Sequence, residues 1–218
     1  MKKIIGLLCG ILSTFSLFAW DSQEKRQVYF TGAYNFALFT ERADSAQTEL
    51  ISNGMDLSLS GYFNQSNWGL YLNTDYNFPC KTTVTSGGSS ISATSSDWDF
   101  SMLASVIFGP TYKHSLTEKF ELFLAGGLHF AQYSIFFKNG SGLNYSFGIG
   151  GDIGFRYFPS ERFYLTFGTL LSHDFFYVSD MAISGYGRYG DSGAYNFGSF
   201  RPYIGIGIKY LQSSSVTF

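Results

Sequence analysis

Between Leu143 and Phe158 the side chains alternate in character. Leu143, Tyr145, Phe147, Ile149, Ile153, Phe155 and Tyr157 are apolar or aromatic, while Asn144, Ser146, Gly148, Gly150, Asp152, Gly154 and Arg156 between them are polar or small. A period of two places these sets on opposite faces of a β-strand. The segment Phe200 to Tyr210 repeats the pattern, with Phe200, Ile204, Ile206, Ile208 and Tyr210 on one face and Arg201, Gly205, Gly207 and Lys209 on the other. The same template carried along the chain predicts eight strands, near 28–40, 49–63, 68–78, 97–112, 120–137, 143–158, 163–177 and 199–211. In the fifth, the apolar phase shifts near Gln132, which predicts a β-bulge near Ala131 or an extension beyond a bilayer. No segment has the length and uniform apolarity of a membrane helix: the best, 122–137, contains Gly126, Gly127, His129 and Gln132.

The connections alternate in length. Residues 64–67, 114–119 and 159–162 form short turns, whereas 79–96 and 178–198 are long and rich in Ser, Thr, Gly and Tyr. An even strand count, short turns at one end and long loops at the other define an all-β fold, an eight-stranded antiparallel transmembrane β-barrel with periplasmic turns and extracellular loops. A soluble sandwich would show the same alternation with its polar face outside. The glycines decide between them. Gly127, Gly148, Gly150, Gly154, Gly168, Gly205 and Gly207 share a face with the charges, which suits the crowded inside of a small barrel and weakens a solvated strand for nothing.

Composition sharpens this. Aromatic residues make up 20% of the 218 and charged residues only 14%, as expected if aromatics face lipid and form interfacial girdles. Trp68, Trp98, Tyr145, Tyr157, Phe163, Phe200 and Tyr210 fit the girdle positions. Lys2, Lys3 and the uncharged run from Ile4 to Ala19 read as a secretory signal peptide over 1–19, leaving 20–218 as the barrel domain. The leader removes two lysines and no acid, so the net charge of −2 becomes −4, which speaks against nucleic acid as a partner. Cys80 alone remains, as a passive loop residue. The expected location is the cell outer membrane, with its lipid as the surrounding partner.

The inward face carries the candidate lumen-lining residues Asp56, Asp75, Asp99, Glu121, His129, Asp152, Arg156, Arg201 and Lys209. Glu121 and Arg156 come close on adjacent strands near the periplasmic end, with Asp152 and Lys209 at similar depth; buried charges need such pairing. Asp56, Asp75 and Asp99 lie on consecutive strands and repel. Water in a solvated mouth, Arg201 or a bound cation would offset them, and the solvated mouth is the expectation. No catalytic, cofactor-binding or metal-ligating set emerges. In Ser172-His173-Asp174 the histidine points away from its neighbours, and the chain reads as a non-enzyme.

The strands 120–130 (FELFLAGGLHF) and 200–210 (FRPYIGIGIKY) resemble the aromatic-Pro-Tyr-x-Gly-x-Gly strands of the OmpW family of small outer-membrane barrels. OmpX-like and OmpA-like small barrels are similar to nearly the same degree. The OmpW resemblance implies a monomeric porin-like channel for passive passage of small, mainly hydrophobic molecules, with an exit through the wall to lipid. The charged inner face departs from the hydrophobic OmpW lumen. The alternative is a surface-exposed structural or adhesin-type barrel whose loops bind host or environmental partners, with Tyr186, Arg188, Tyr189 and Tyr195 as loop-binding candidates.

Overall fold

A computed structural model describes residues 26–43, 46–63, 66–183 and 187–212. The proposed signal peptide lies outside the described residues, as does Tyr186. The described chain forms strands β1 (Arg26–Ala43), β2 (Ala46–Tyr62), β3 (Trp68–Ser86), β4 (Ser89–Thr94), β5 (Phe100–Ser115), β6 (Phe120–Phe137), β7 (Gly140–Tyr157), β8 (Phe163–Ile183) and β9 (Gly187–Gln212). All pairings are antiparallel; β1 pairs with both β2 and β9, and β2 pairs with β3. Eight strands therefore close into a barrel, and β4 is the return strand of a hairpin on the upper part of β3, beyond the stretch that pairs with β5. Closure removes the free edges that a membrane core cannot tolerate.

The parity of the sequence becomes the inside and outside of this cylinder. Phe30, Met55, Leu57, Phe108, Leu128, Phe130, Ile149, Phe167, Ile204 and Ile206 face outward and are exposed. At the short-turn end, paired aromatics ring the wall: Trp68 against Tyr112 at 5.0 Å and Phe120 against Tyr157 at 4.9 Å between ring centroids. This is an interfacial girdle bordering an apolar band. Glycine makes room on the inner face for large side chains. A β-carbon on Gly154 would stand 2.6 Å from the Phe123 ring and 2.6 Å from the Tyr203 hydroxyl, and one on Gly207 would stand 2.1 Å from the Tyr164 ring.

Three sequence expectations change. Residues 79–96 and 178–198 are mostly not irregular loops: β3 and β4 continue as a hairpin, and β8 and β9 stay paired up to Ile183–Gly187. Strands β8 and β9 have 21 and 26 residues, where a bilayer crossing takes about 9–11, so both hairpins stand well clear of the apolar band. Their Ser, Thr and Gly residues mask the strand signal. Second, β6 runs in unbroken register with β7 past Ala131. The phase shift arises because Tyr133 turns inward and packs against an apolar cluster. The register shifts lie elsewhere, at Ile51/Ser52, Phe147/Gly148 and Asp174/Phe176. Third, Cys80 is a wall residue, the extra residue opposite the first of these bulges, with its thiol 3.3 Å from the Ile51 carbonyl.

Candidate functional site

The barrel interior is packed at three levels. At the short-turn end Tyr29, Tyr62 and Tyr164 cluster with Phe158; at mid-height Ala33, Tyr71, Ile107, Phe123, Leu170 and Tyr203 meet; toward the long hairpins Ala37, Phe39, Leu50, Leu103, Ala131 and Phe197 close the column. Arg156, Arg201, Tyr29, Tyr71, Ile107 and Leu170 are each at most 1% exposed. That degree of burial is that of a protein core.

Charges are threaded between the aromatic levels. Glu121 and Arg156 are direct cross-strand partners, with Arg156 Nη1 2.9 Å from Glu121 Oε1 and Nη2 3.0 Å from the Ser60 hydroxyl. The guanidinium lies 4.3 Å from the Tyr29 ring centroid and 4.1 Å from that of Phe123, so both π faces add to its neutralisation. Lys113 donates to Gln27 and reaches the Tyr29 hydroxyl at 3.1 Å and Glu121 at 3.9 Å. Lys209 is half-buried at the mouth, 5.6 Å from the Tyr29 ring centroid and 5.4 Å from that of Phe158.

Asp152 sits one level further in than its expected partners. It accepts the Tyr203 hydroxyl at 2.8 Å and the Tyr71 hydroxyl, so phenols rather than a cation satisfy it. Arg201 is wholly buried and donates from Nη1 to Asp75 at 2.6 Å and to Ser105 at 2.8 Å. Asp56 stands directly across from Asp75 and accepts from Asn73 Nδ2 at 3.4 Å, while its Oδ2 has no hydrogen-bond partner among the described residues. The solvated mouth is corrected here: Asp56 is 2% exposed and Asp75 not at all. Asp99 is also corrected. It is exposed, in the bend preceding β5, with its N–H on the Phe136 carbonyl at 2.9 Å; the parity is right, but the strand begins one residue later.

One cluster escaped the sequence. His129 Nδ1 lies 2.6 Å from Asp174 Oδ1, and Ser146 donates to Asp174 Oδ2. Strands β6 and β8 are not neighbours; Gly148 on β7 between them lies against Asp174, and the histidine reaches across. The serine hydroxyl is on the carboxylate and not on His129 Nε2, which has no partner. Nucleophilic catalysis requires the opposite arrangement. His173 points outward, away from Ser172 and Asp174.

At the other end, Arg188 grips Asp180 through Nε at 2.6 Å and through Nη2, and Tyr177 donates to Asp191 at 2.6 Å. The Arg188 bonds hold the Asp180 carboxyl below its ordinary range, and the Tyr177 hydroxyl and the Ser192 N–H do the same for Asp191. Arg188 and Asp180 border a shallow cleft with Phe136, Gly142, Leu143 and Ala182, between the β6–β7 and β8–β9 hairpins. Tyr189 is 57% exposed beside it, and Tyr195 lies on β9.

No protein-family model matches the chain, and no curated protein matches it in sequence. Solved structures do. The chain is similar to Neisserial surface protein A, at TM-score 0.55 and 11% identity over 84% of this chain and 97% of that one. It is similar to outer membrane protein AlkL in DMPC bilayers, at TM-score 0.51 and 12% identity over 89% and 94%. A major outer membrane protein of Thermus thermophilus aligns at TM-score 0.50 and 10% identity over 82% and 99%. At these identities the likeness is one of fold: a closed, eight-stranded antiparallel barrel of the outer-membrane type.

Proposed function

We propose that this protein is a non-conducting outer-membrane barrel, delivered by the leader at 1–19, that displays the β3–β4 and β8–β9 hairpins to partners outside the cell. The observation that carries this reading is the filled interior, where Arg156, Arg201, Ile107 and Leu170 are buried to 1% or less. A route for small hydrophobic molecules needs a path through or out of the lumen, and aromatic side chains occupy the column at each level. The hairpins, by contrast, extend far beyond what a bilayer crossing needs, and they carry exposed Arg188, Tyr189, Val84 and Ile91. Rigid aromatics with an adaptable polar surround favour recognition.

The test replaces 81–94 and 178–192 with tight turns in separate variants. Both fold, and cells bearing them lose attachment to surfaces and extracellular glycans or proteins that wild-type cells retain. Uptake of a small hydrophobic fluorophore into vesicles is the same with and without the protein. Attachment unchanged in both variants, or uptake raised by the intact protein, overturns the reading.

A further inference from the structure

The upper wall of the barrel has an open edge. Above Asn77, β3 leaves β5 and pairs instead with β4, from Lys81 with Thr94 to Ser86 with Ser89. Among the described residues β4 pairs with β3 alone, so its other side is bare. Gly87 and Gly88, both at positive φ (57° and 82°), make the two-residue turn. Such a turn makes Ser86 and Ser89 a hydrogen-bonded pair, and bonded pairs recur at every second residue. Ser89, Ile91 and Ala93 therefore bond to β3, while Ser90, Ser92 and Thr94 turn their N–H and C=O groups away from it. The Thr94 N–H, on the Asp97 carboxylate at 2.7 Å, shows this direction and closes the lower end of the edge.

Natural edge strands are guarded by charge, proline or a bulge. Ser89-Ser90-Ile91-Ser92-Ala93-Thr94 has no charge and no proline, and it runs in unbroken register with β3. The hydroxyls of Ser90 and Ser92 reach back to Thr85 at 2.8 Å and to Thr83 at 3.0 Å, so one face of the hairpin is a row of hydroxyls. The other face carries Ile91, 77% exposed, beside its cross-strand partner Val84. An apolar residue at the middle of an open, uncharged edge is self-complementary. Turned about a two-fold axis at Ile91, the strand meets the same groups on its own copy.

We propose that β4 pairs antiparallel with β4 of a second copy of this protein in a facing membrane, Ile91 lying against the partner's Ile91. The inference rests on the reading that the hairpins meet partners outside the cell, and it names the partner of one of them. Ser90 and the partner's Ser92 exchange their backbone hydrogen bonds, and Ser92 and the partner's Ser90 do the same. Between them the two isoleucines form the closer, non-hydrogen-bonded pair, and the apolar row continues to Val84 on each side. The two-fold axis is perpendicular to the sheet and reverses the strand direction. The two barrels therefore point in opposite directions and belong to different membranes. One short strand buries far less than the roughly 1,200–2,000 Å² of a stable complex. The contact is weak singly and holds through many copies between two apposed membranes.

The experiment follows clustering of liposomes that carry the refolded full chain, by light scattering, with protein-free liposomes as the baseline. Wild-type liposomes cluster. Ile91→Lys and Ile91→Glu, each with wild-type gel mobility, lose clustering alone because like charges meet across the pair. Clustering returns when the two populations are mixed. Ser92→Pro, which removes an outward N–H and spares the bonds to β3, also loses it. Wild-type liposomes that stay dispersed overturn the proposal; so does either charged variant clustering alone, or a mixture of the two that stays dispersed. Dispersed wild-type liposomes, with cell attachment still lost on replacing 81–94, overturn the self-pairing alone and leave the hairpin with a different partner.

Discussion

Arg201 illustrates what a single residue does in this lumen. Its guanidinium is wholly buried on Asp75 and Ser105, so its contribution depends on the partner it neutralises. Arg201→Met leaves Asp75 charged and unpaired, and should cost about 3–5 kcal/mol of unfolding free energy. Adding Asp75→Leu removes the stranded charge and should return most of that loss, since well-packed apolar replacements of a buried pair are often neutral. Urea unfolding of the refolded single and double variants measures both. Gly154 makes the steric counterpart. With a β-carbon 2.6 Å from the Phe123 ring and the Tyr203 hydroxyl, Gly154→Val should lose most of its folded yield by gel mobility. Gly61→Ala, with nothing within 4 Å of its β-carbon, should fold like the wild type.

Among elements, the β8–β9 hairpin carries the clearest pH response. Asp180 and Asp191 are held below the ordinary carboxylate range by Arg188 and by the Tyr177 hydroxyl. A depressed folded value means stabilisation present above that range and lost as pH falls through it. Amides near Ser179 and Asp191 should therefore lose hydrogen-exchange protection on acidification, before those of the barrel strands. Protection at the tip that is constant through that range would contradict this. The same hairpin marks the limit of what the sequence reveals about elements. Strand parity in β7 and β9 was legible because apolar outside and small or polar inside repeat without a break. The upper parts of β3, β8 and β9 leave the bilayer, face water on both sides and lose the alternation. Tyr133 broke the parity rule for a related reason, since its level of the lumen is apolar. Of the contacts across the lumen, Arg201 with Asp75 was one of the alternatives the charge pattern raised, and the others were not legible. His129 with Asp174, and Asp152 with Tyr71 and Tyr203, join strands whose separation is set by barrel closure and not by spacing along the chain.

At the scale of the whole molecule, the two faces perform separate tasks. The outer face meets lipid through an apolar band and a ring of paired aromatics. The inner face is a solid column of tyrosines, arginines and carboxylates, and the hairpins stand above it. A solid column has an electrical consequence. Planar-bilayer recording of the refolded full chain should give a baseline indistinguishable from protein-free lipid across a broad voltage range. Reproducible single-channel steps from the wild-type protein, lost when the preparation is heat-denatured, would contradict the filled lumen directly.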